Sequence, residues 1–257
     1  MDLHYKLKRE AIPLLFFGTV VSIKAYFLID TLFILGGWEE MVGLIGEADM
    51  AANQVRIMDM VSYVAYNLVA ILFDALVFAS YLMRIEPKEK ARGFSQTVYP
   101  MATVLLPVIS FTLITIPELR ALLPSFDIIG WMMDYNLPAL FPTYLNISGL
   151  IIGLVGATLS FIALWSLRRS FSLMSEVREL VSHGLYSRIR HPLYMSEIIH
   201  MAGIVILSGT PVALWVFLIA VAMQVVRAKI EEHKFLKAVP EYAEFQARTG
   251  FLWPKLW

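Results

Sequence analysis

Six apolar stretches run through the 257-residue chain, at roughly Ile12 to Gly36, Met60 to Met83, Val98 to Ile116, Leu145 to Leu167, Pro192 to Leu207 and Pro211 to Val226. A helix needs about 20 residues to cross the hydrocarbon of a bilayer. Backbone groups are satisfied there only inside helices or closed barrels. Runs of this kind predict an all-α, polytopic membrane bundle of about six transmembrane helices. The last two runs are short and separated only by Ser208, Gly209 and Thr210, so they predict a tight C-terminal helical hairpin whose arms barely span. Charged residues make up 16% of the chain and hydrophobic residues 58%, against about 25% charged in a soluble domain.

The basic residues set the orientation. Of the 21 Lys and Arg, 18 lie in alternate connecting segments: before the first run, between Arg84 and Arg92, between Arg168 and Arg190, and from Arg227 onward. The positive-inside rule makes those segments, and both termini, cytoplasmic. The stretch after Met1 to Glu10 is too long for a secretory signal and lacks a small-residue cleavage site, so it reads as a retained first helix. The loop from Pro117 to Tyr144, with four prolines and with Trp131 and Tyr135 as anchors, is expected along the outer interface. Residues 1–144 then form N-terminal transmembrane helices of unassigned role, and residues 145–257 a transmembrane core with a C-terminal tail.

Composition narrows the chemistry. A formal net charge of zero gives no electrostatic case for nucleic acid, and the absence of cysteine removes disulfides, thiolate metal sites and cysteine nucleophiles. His, Arg, Glu, Asp and Tyr remain, and they cluster twice.

The first cluster is Gly184 to Tyr194, "GLYSRIRHPLY". Gly184 permits close backbone approach. Pro192 suits the first turn of a helix, and the residue before it, His191, is pushed out of helical conformation. With Arg190 and His191 beside that helix start and Tyr186 and Tyr194 flanking it, the segment describes a pocket for a small carboxylate or phosphate at the membrane surface. The second cluster is "RAKIEEHKFL", where Arg227 and Glu231 are four residues apart on one helix face and Glu232 follows. The hairpin returns this acidic pair to the same cytoplasmic face as the basic corner. A ligand carrying a carboxylate at one end and cationic or hydroxyl groups at the other fits both. S-adenosylmethionine, with its carboxylate, ammonium, sulfonium and ribose hydroxyls, is such a ligand.

In order and spacing, Gly184 and Tyr186, then Arg190, His191, Pro192 and Tyr194, then Arg227, Glu231 and Glu232, then Tyr242 and Phe245, and finally Pro254 resemble the isoprenylcysteine carboxyl methyltransferase and phospholipid methyltransferase superfamily. The resemblance covers roughly Trp165 to Trp257. Leu185 stands where the family often has proline, and Phe245 where a second tyrosine is usual. The resemblance implies a membrane-embedded, S-adenosylmethionine-dependent methyltransferase acting on a lipid-like or lipid-modified acceptor: an isoprenylcysteine carboxylate, a phospholipid amine or a thiol. It implies cofactor contacts at Gly184, Tyr186, Arg190, His191, Pro192, Tyr194, Glu197, Glu231, Glu232 and Tyr242, with Arg227 nearer the acceptor and Arg227 and Glu231 in the catalytic role. A carboxylate or thiolate acceptor needs no base; for an amine, Glu231 or His191 is the candidate. Two readings compete: an NADPH-dependent membrane reductase of the sterol-reductase type, whose usual Lys-Tyr-Gly pattern is replaced here by "PEYAEF", and a non-catalytic membrane scaffold.

Two further pairs of polar residues lie within the apolar runs. Glu197 and His200 have the Glu-x-x-His spacing of di-iron bundles, but such a site needs a second copy from other helices, which this sequence does not contain. No metal is expected; Glu197 is placed near the cofactor and His200 against a neighbouring helix. Lys24 and Asp74 fall near the middle of their runs, where ionisable groups are costly and tend to pair, and a structural ion pair is expected between them.

Overall fold

The computed structural model describes residues 10–34, 37–46, 50–115 and 146–255. The expected interfacial loop from Pro117 to Tyr144 lies outside the described residues. Helix α1 (Ala11–Ile29) continues as one wider turn through Asp30–Ile34. It is followed by α2 (Gly37–Gly46), α3 (Met50–Met83), the single turn α4 (Gly93–Gln96), α5 (Val98–Thr115), α6 (Asn146–Leu167), α7 (Pro192–Ser208), α8 (Pro211–Ala238) and the short α9 (Tyr242–Arg248). Among the described residues there is no strand, only two isolated bridges, Glu89 with Val177 and Ile189 with Gly250.

By length and composition, Ala11–Ile29, Ile147–Ser170 and Pro211–Ala238 are able to cross a membrane, and shorter apolar helices cover Asn67–Met83, Val98–Leu113 and Pro192–Ser208. Each apolar run of the sequence is therefore a helix. Large apolar side chains point outward from several of them, Ile12, Leu72, Ile151, Trp215 and Ile219 among them, as lipid rather than water would require.

Two helices depart from the hydropathy boundaries. Helix α3 begins ten residues ahead of the Met60 expected from hydropathy. Helix α8 runs past Val226 to Ala238, because its polar extension still buries one face, Arg227, Ala228, Glu232 and Lys234. The hairpin forms as its residues dictate. Gly209 ends α7 in the left-handed region at φ 61°, which a side chain would resist. Thr210 caps α8 by accepting the Ala213 N–H at 3.3 Å, with Pro211 in the first turn.

The tightest pairing is α6 against α7. A Cβ on Gly203 would lie 2.3 Å from the Gly153 nitrogen, and one on Gly156 would lie 2.3 Å from the His200 nitrogen. Small residues let the two backbones touch, which is the membrane solution to helix association. Helix α1 packs on α3, α3 on α6, and α8 on α5 and α7. Lys24 Nζ donates to Asp74 Oδ2 at 2.8 Å between α1 and α3, as expected from their depth. His200 Nδ1 meets the Gly153 carbonyl at 2.9 Å.

Irregular chain forms a second layer at one end of the bundle. Residues 85–97 pair with residues 169–177: the Val177 carbonyl accepts the Lys88 N–H at 2.8 Å, and the Val177 N–H donates to Glu89 at 3.0 Å. Lys234 of α8 pins this layer, donating to the Lys90 carbonyl at 2.7 Å, Gln96 Oε1 at 2.9 Å and the Ser175 carbonyl at 3.0 Å. The chain after α9 turns back, so that the Arg190 N–H donates to the Gly250 carbonyl at 2.8 Å and the His191 N–H to the Phe251 carbonyl at 3.2 Å. The tail is thereby strapped across the Arg-His-Pro corner.

Candidate functional site

Between this layer and the bundle lies a cavity of about 120 Å³. Its wall includes Tyr186, Arg190, His191, Tyr194, Glu197, Arg227, Glu231 and Tyr242, so eight of the eleven site residues expected from the sequence share one chamber. Gly184, Pro192 and Glu232 do not line it. Gly184 sits at φ 60° and opens the turn Gly184–Ser187, and Pro192 starts α7.

Glu232 faces away from the cavity and holds the basic corner in place. Its Oε1 accepts from Arg190 Nε at 2.5 Å and lies 3.4 Å from His191 Nε2. Arg190 Nη1 donates in addition to the carbonyls of Gln246, at 3.1 Å, and Thr249, at 2.5 Å. Two sides of the guanidinium are thus committed to α8 and to the tail, and Arg190 meets the cavity as an already neutralised group.

Glu231 faces inward. Its Oε1 accepts from the Tyr194 hydroxyl at 2.6 Å and from Arg227 Nε at 3.1 Å. Arg227 is buried at 2% exposure. It also donates to Thr103 Oγ1 at 3.3 Å and to the Ser172 carbonyl at 3.2 Å, and its guanidinium lies 5.0 Å from the Tyr194 ring centre. The His191 ring stacks on Tyr194, with centroids 5.3 Å apart and planes 5° from parallel. Glu197, one turn along α7 from Tyr194, accepts from Gln224 Nε2 at 2.5 Å.

Aromatic rings close the other side. Tyr242 contacts Phe235 at 5.2 Å and Phe245 at 5.7 Å between ring centres. Burial, reinforced by Glu197 and Glu231, holds the Tyr186 hydroxyl well above the usual phenol range. Burial and then Glu232 raise that of Tyr242. Both therefore remain neutral hydrogen-bonding groups.

The segment from Phe171 to Val181 was not among the expected site residues, yet it supplies Glu176, Glu179 and several apolar side chains to the wall. Glu176 is fixed by donors from Ser172, at 2.9 Å, and from Arg178, at 2.5 Å, beside an Arg84 that is itself paired with Glu10. The only sequence signal for it is position: it links α6 to Gly184 and has to pass over the corner.

The cavity combines carboxylates, a buried guanidinium and stacked aromatic rings between the last two helices and the chain that precedes them. Residues 144–241 match the phospholipid methyltransferase family. The match takes in α6, α7, α8 and the basic corner; it stops short of Tyr242 and leaves out α1, α3 and α5. The resemblance drawn from the Arg-His-Pro and Glu-Glu motifs stands on this. A nickel-cobalt-cadmium resistance protein, NccN, of Alcaligenes xylosoxydans xylosoxydans is 27% identical over 118 residues, which are 44% of this chain and 54% of that protein. The chain thus spans about half the length of this curated relative.

Proposed function

We propose that the chain is a membrane-embedded, S-adenosylmethionine-dependent methyltransferase acting on a lipid-like or membrane-partitioned acceptor. The observation that carries this reading is the chamber itself: the segment that matches the phospholipid methyltransferase family folds so that Arg190, His191 and Tyr194 line one cavity together with Arg227 and Glu231. The chemistry of the wall fits the cofactor. Glu231, Glu176 and Glu179 offer carboxylates for an ammonium and ribose hydroxyls, Tyr186, Tyr242 and Phe245 offer aromatic faces for a purine, and His191, with the one Arg190 nitrogen not engaged by Glu232 or the tail, offers donors for a carboxylate.

When bound, S-adenosylmethionine supplies an electrophilic methyl group on its sulfonium. Alignment and exclusion of water are then the work of the protein. The strapped tail and the 171–181 segment cover the chamber from the aqueous side, and Glu232 fixes the corner so that the rings of His191 and Tyr194 keep their stack. Glu231 has both a donor phenol and a guanidinium on one oxygen, so its charge is oriented before a ligand arrives. In this reading the six apolar helices cross the membrane, both termini are cytoplasmic, and the chamber lies at the cytoplasmic end of the bundle, with the acceptor arriving from the lipid. The sterol-reductase-type alternative is not favoured by the family match, and a scaffold would have no use for the braced carboxylates.

The test uses purified full-length protein, methyl-labelled S-adenosylmethionine and a total membrane lipid extract. Label should appear in the organic phase, and Glu231→Gln should reduce it by about tenfold or more, the cost of one charge-assisted hydrogen-bond set. Folded protein that transfers no label to any lipid fraction overturns the acceptor class.

A further inference from the structure

One wall of the chamber carries an acid whose two oxygens are used unequally. Glu176 lines the cavity, and its side chain keeps 11% of its surface exposed. Its Oε2 accepts from the Ser172 hydroxyl at 2.9 Å and from Arg178 Nη2 at 2.5 Å. Among the described residues no group donates to its Oε1.

The Ser172 hydroxyl has a single proton, and its direction is dictated from outside the wall. Arg84 Nη1 lies 3.3 Å from Ser172 Oγ. A guanidinium donates and never accepts, so Ser172 accepts there and its own proton is left for Glu176. Arg84 follows the end of α3 and is buried, and it is braced from two sides before it reaches Ser172. Its Nη2 pairs with Glu10, itself buried, at the start of α1. Its guanidinium lies 4.5 Å from the ring centre of Tyr81, whose hydroxyl accepts the Leu173 N–H at 2.9 Å. Arg178 belongs to the wall itself, two residues beyond Glu176, so it balances the carboxylate without tying it to the bundle. Lys234 pins the neighbouring Ser175 carbonyl at 3.0 Å, which fixes backbone and leaves the direction of the Glu176 side chain to Ser172.

We propose that Arg84, braced by Glu10, is a positioning residue of the chamber: through the Ser172 hydroxyl it turns the Glu176 carboxylate so that Oε1 is presented to a hydrogen-bond donor of the cofactor, a ribose hydroxyl or the ammonium. Neither Glu10 nor Arg84 lies in the segment 144–241 that matches the methyltransferase family. The ends of α1 and α3 therefore take part in holding the cofactor as well as in building the bundle. This rests on reading the chamber as the S-adenosylmethionine site.

The test is equilibrium binding of labelled S-adenosylmethionine to the full-length protein in detergent, with the unfolding midpoint of each protein measured beside it. Wild type is compared with Arg84→Lys, Ser172→Ala and Glu176→Gln, and with Glu176→Gln combined with each of the other two. Arg84→Lys keeps a cation against Glu10 but has no second nitrogen for Ser172. Ser172→Ala leaves the Glu10–Arg84 pair whole. Each should weaken binding about fivefold, as for one lost hydrogen bond, and Glu176→Gln should weaken it about tenfold. Either change added to Glu176→Gln should cost nothing further, because both act through that carboxylate. A residue that merely supported the fold would weaken the Glu176→Gln protein by the same factor as wild type. Wild-type affinity in either folded single variant, or such multiplicative losses in the doubles, overturns the proposal and leaves the cofactor reading standing. If Arg84→Lys does not fold, the Ser172→Ala cycle decides alone. No saturable binding by folded wild type overturns both.

Discussion

At the scale of single residues, the bundle handles charge in two ways. Lys24 and Asp74 form a closed pair: both are buried, at 7% and 2% exposure, and the ammonium meets the carboxylate directly. Removing one partner strands the other in a low-dielectric interior, and a broken buried pair costs about 3–5 kcal/mol, whereas replacing both by apolar residues is close to neutral. Lys24→Met should therefore lower the unfolding midpoint in detergent sharply, and Lys24→Met with Asp74→Leu should recover most of it. A double variant as unstable as the single one would show that the pair does more than neutralise itself. Glu231 and Glu232 are adjacent in sequence yet differ in use. Successive helical positions point about 100° apart, so Glu232 turns to Arg190 and the tail while Glu231 turns to Tyr194, Arg227 and the chamber.

At the scale of elements, the contact between α6 and α7 sets the geometry of the site, because α7 carries Tyr194 and Glu197 and begins at the corner. The two backbones meet at Gly203, where an added methyl group would lie 2.3 Å from the Gly153 nitrogen and 2.5 Å from its Cα. Neither neighbour is a flexible side chain, so the helices would have to part. Overpacking of this kind costs about 1–3 kcal/mol. Gly203→Ala should lower the unfolding midpoint accordingly and weaken S-adenosylmethionine binding, although Gly203 does not touch the chamber. Unchanged stability would mean that the crossing is looser than the described packing. The elements were the most legible part of the sequence. Apolar runs placed α1, α5, α6 and α7 within a few residues, Ser208-Gly209-Thr210-Pro211 encoded the hairpin in local stop and start signals, and mid-membrane depth was enough to pair Lys24 with Asp74. The end of α8 was not legible, because hydropathy stops at Val226 while the helix continues on a buried polar face. Lys234 illustrates why: its partners Lys90, Gln96 and Ser175 are far away in sequence, and no periodicity announces them.

At the scale of the whole molecule, the chamber is made by chain segments that meet only through tertiary structure. The two motif clusters were visible in the sequence, and so was their meeting across the hairpin. The 171–181 wall and the returning tail were not, since irregular backbone pairing such as Arg190 with Gly250 leaves no compositional trace. The tail has a testable role of its own. Truncation after Arg248 removes the Gly250 and Phe251 carbonyls that receive the Arg190 and His191 N–H groups, and leaves the helices untouched. Helical content should be retained, measured by circular dichroism, while cofactor affinity falls by about tenfold or more, as for the loss of several hydrogen bonds, those of the Thr249 carbonyl to Arg190 and of the Gly250 N–H to Arg188 among them. Retained affinity would show that the strap is dispensable. The most direct measurement is equilibrium binding of labelled S-adenosylmethionine to the purified full-length protein in detergent, for wild type and for Glu231→Gln. Saturable binding of about one equivalent per chain, weakened at least about tenfold by a Glu231→Gln protein that keeps its unfolding transition, is the result expected from the oriented carboxylate. Absence of saturable binding to folded wild-type protein, or equal binding by the variant, would contradict the assignment of the chamber.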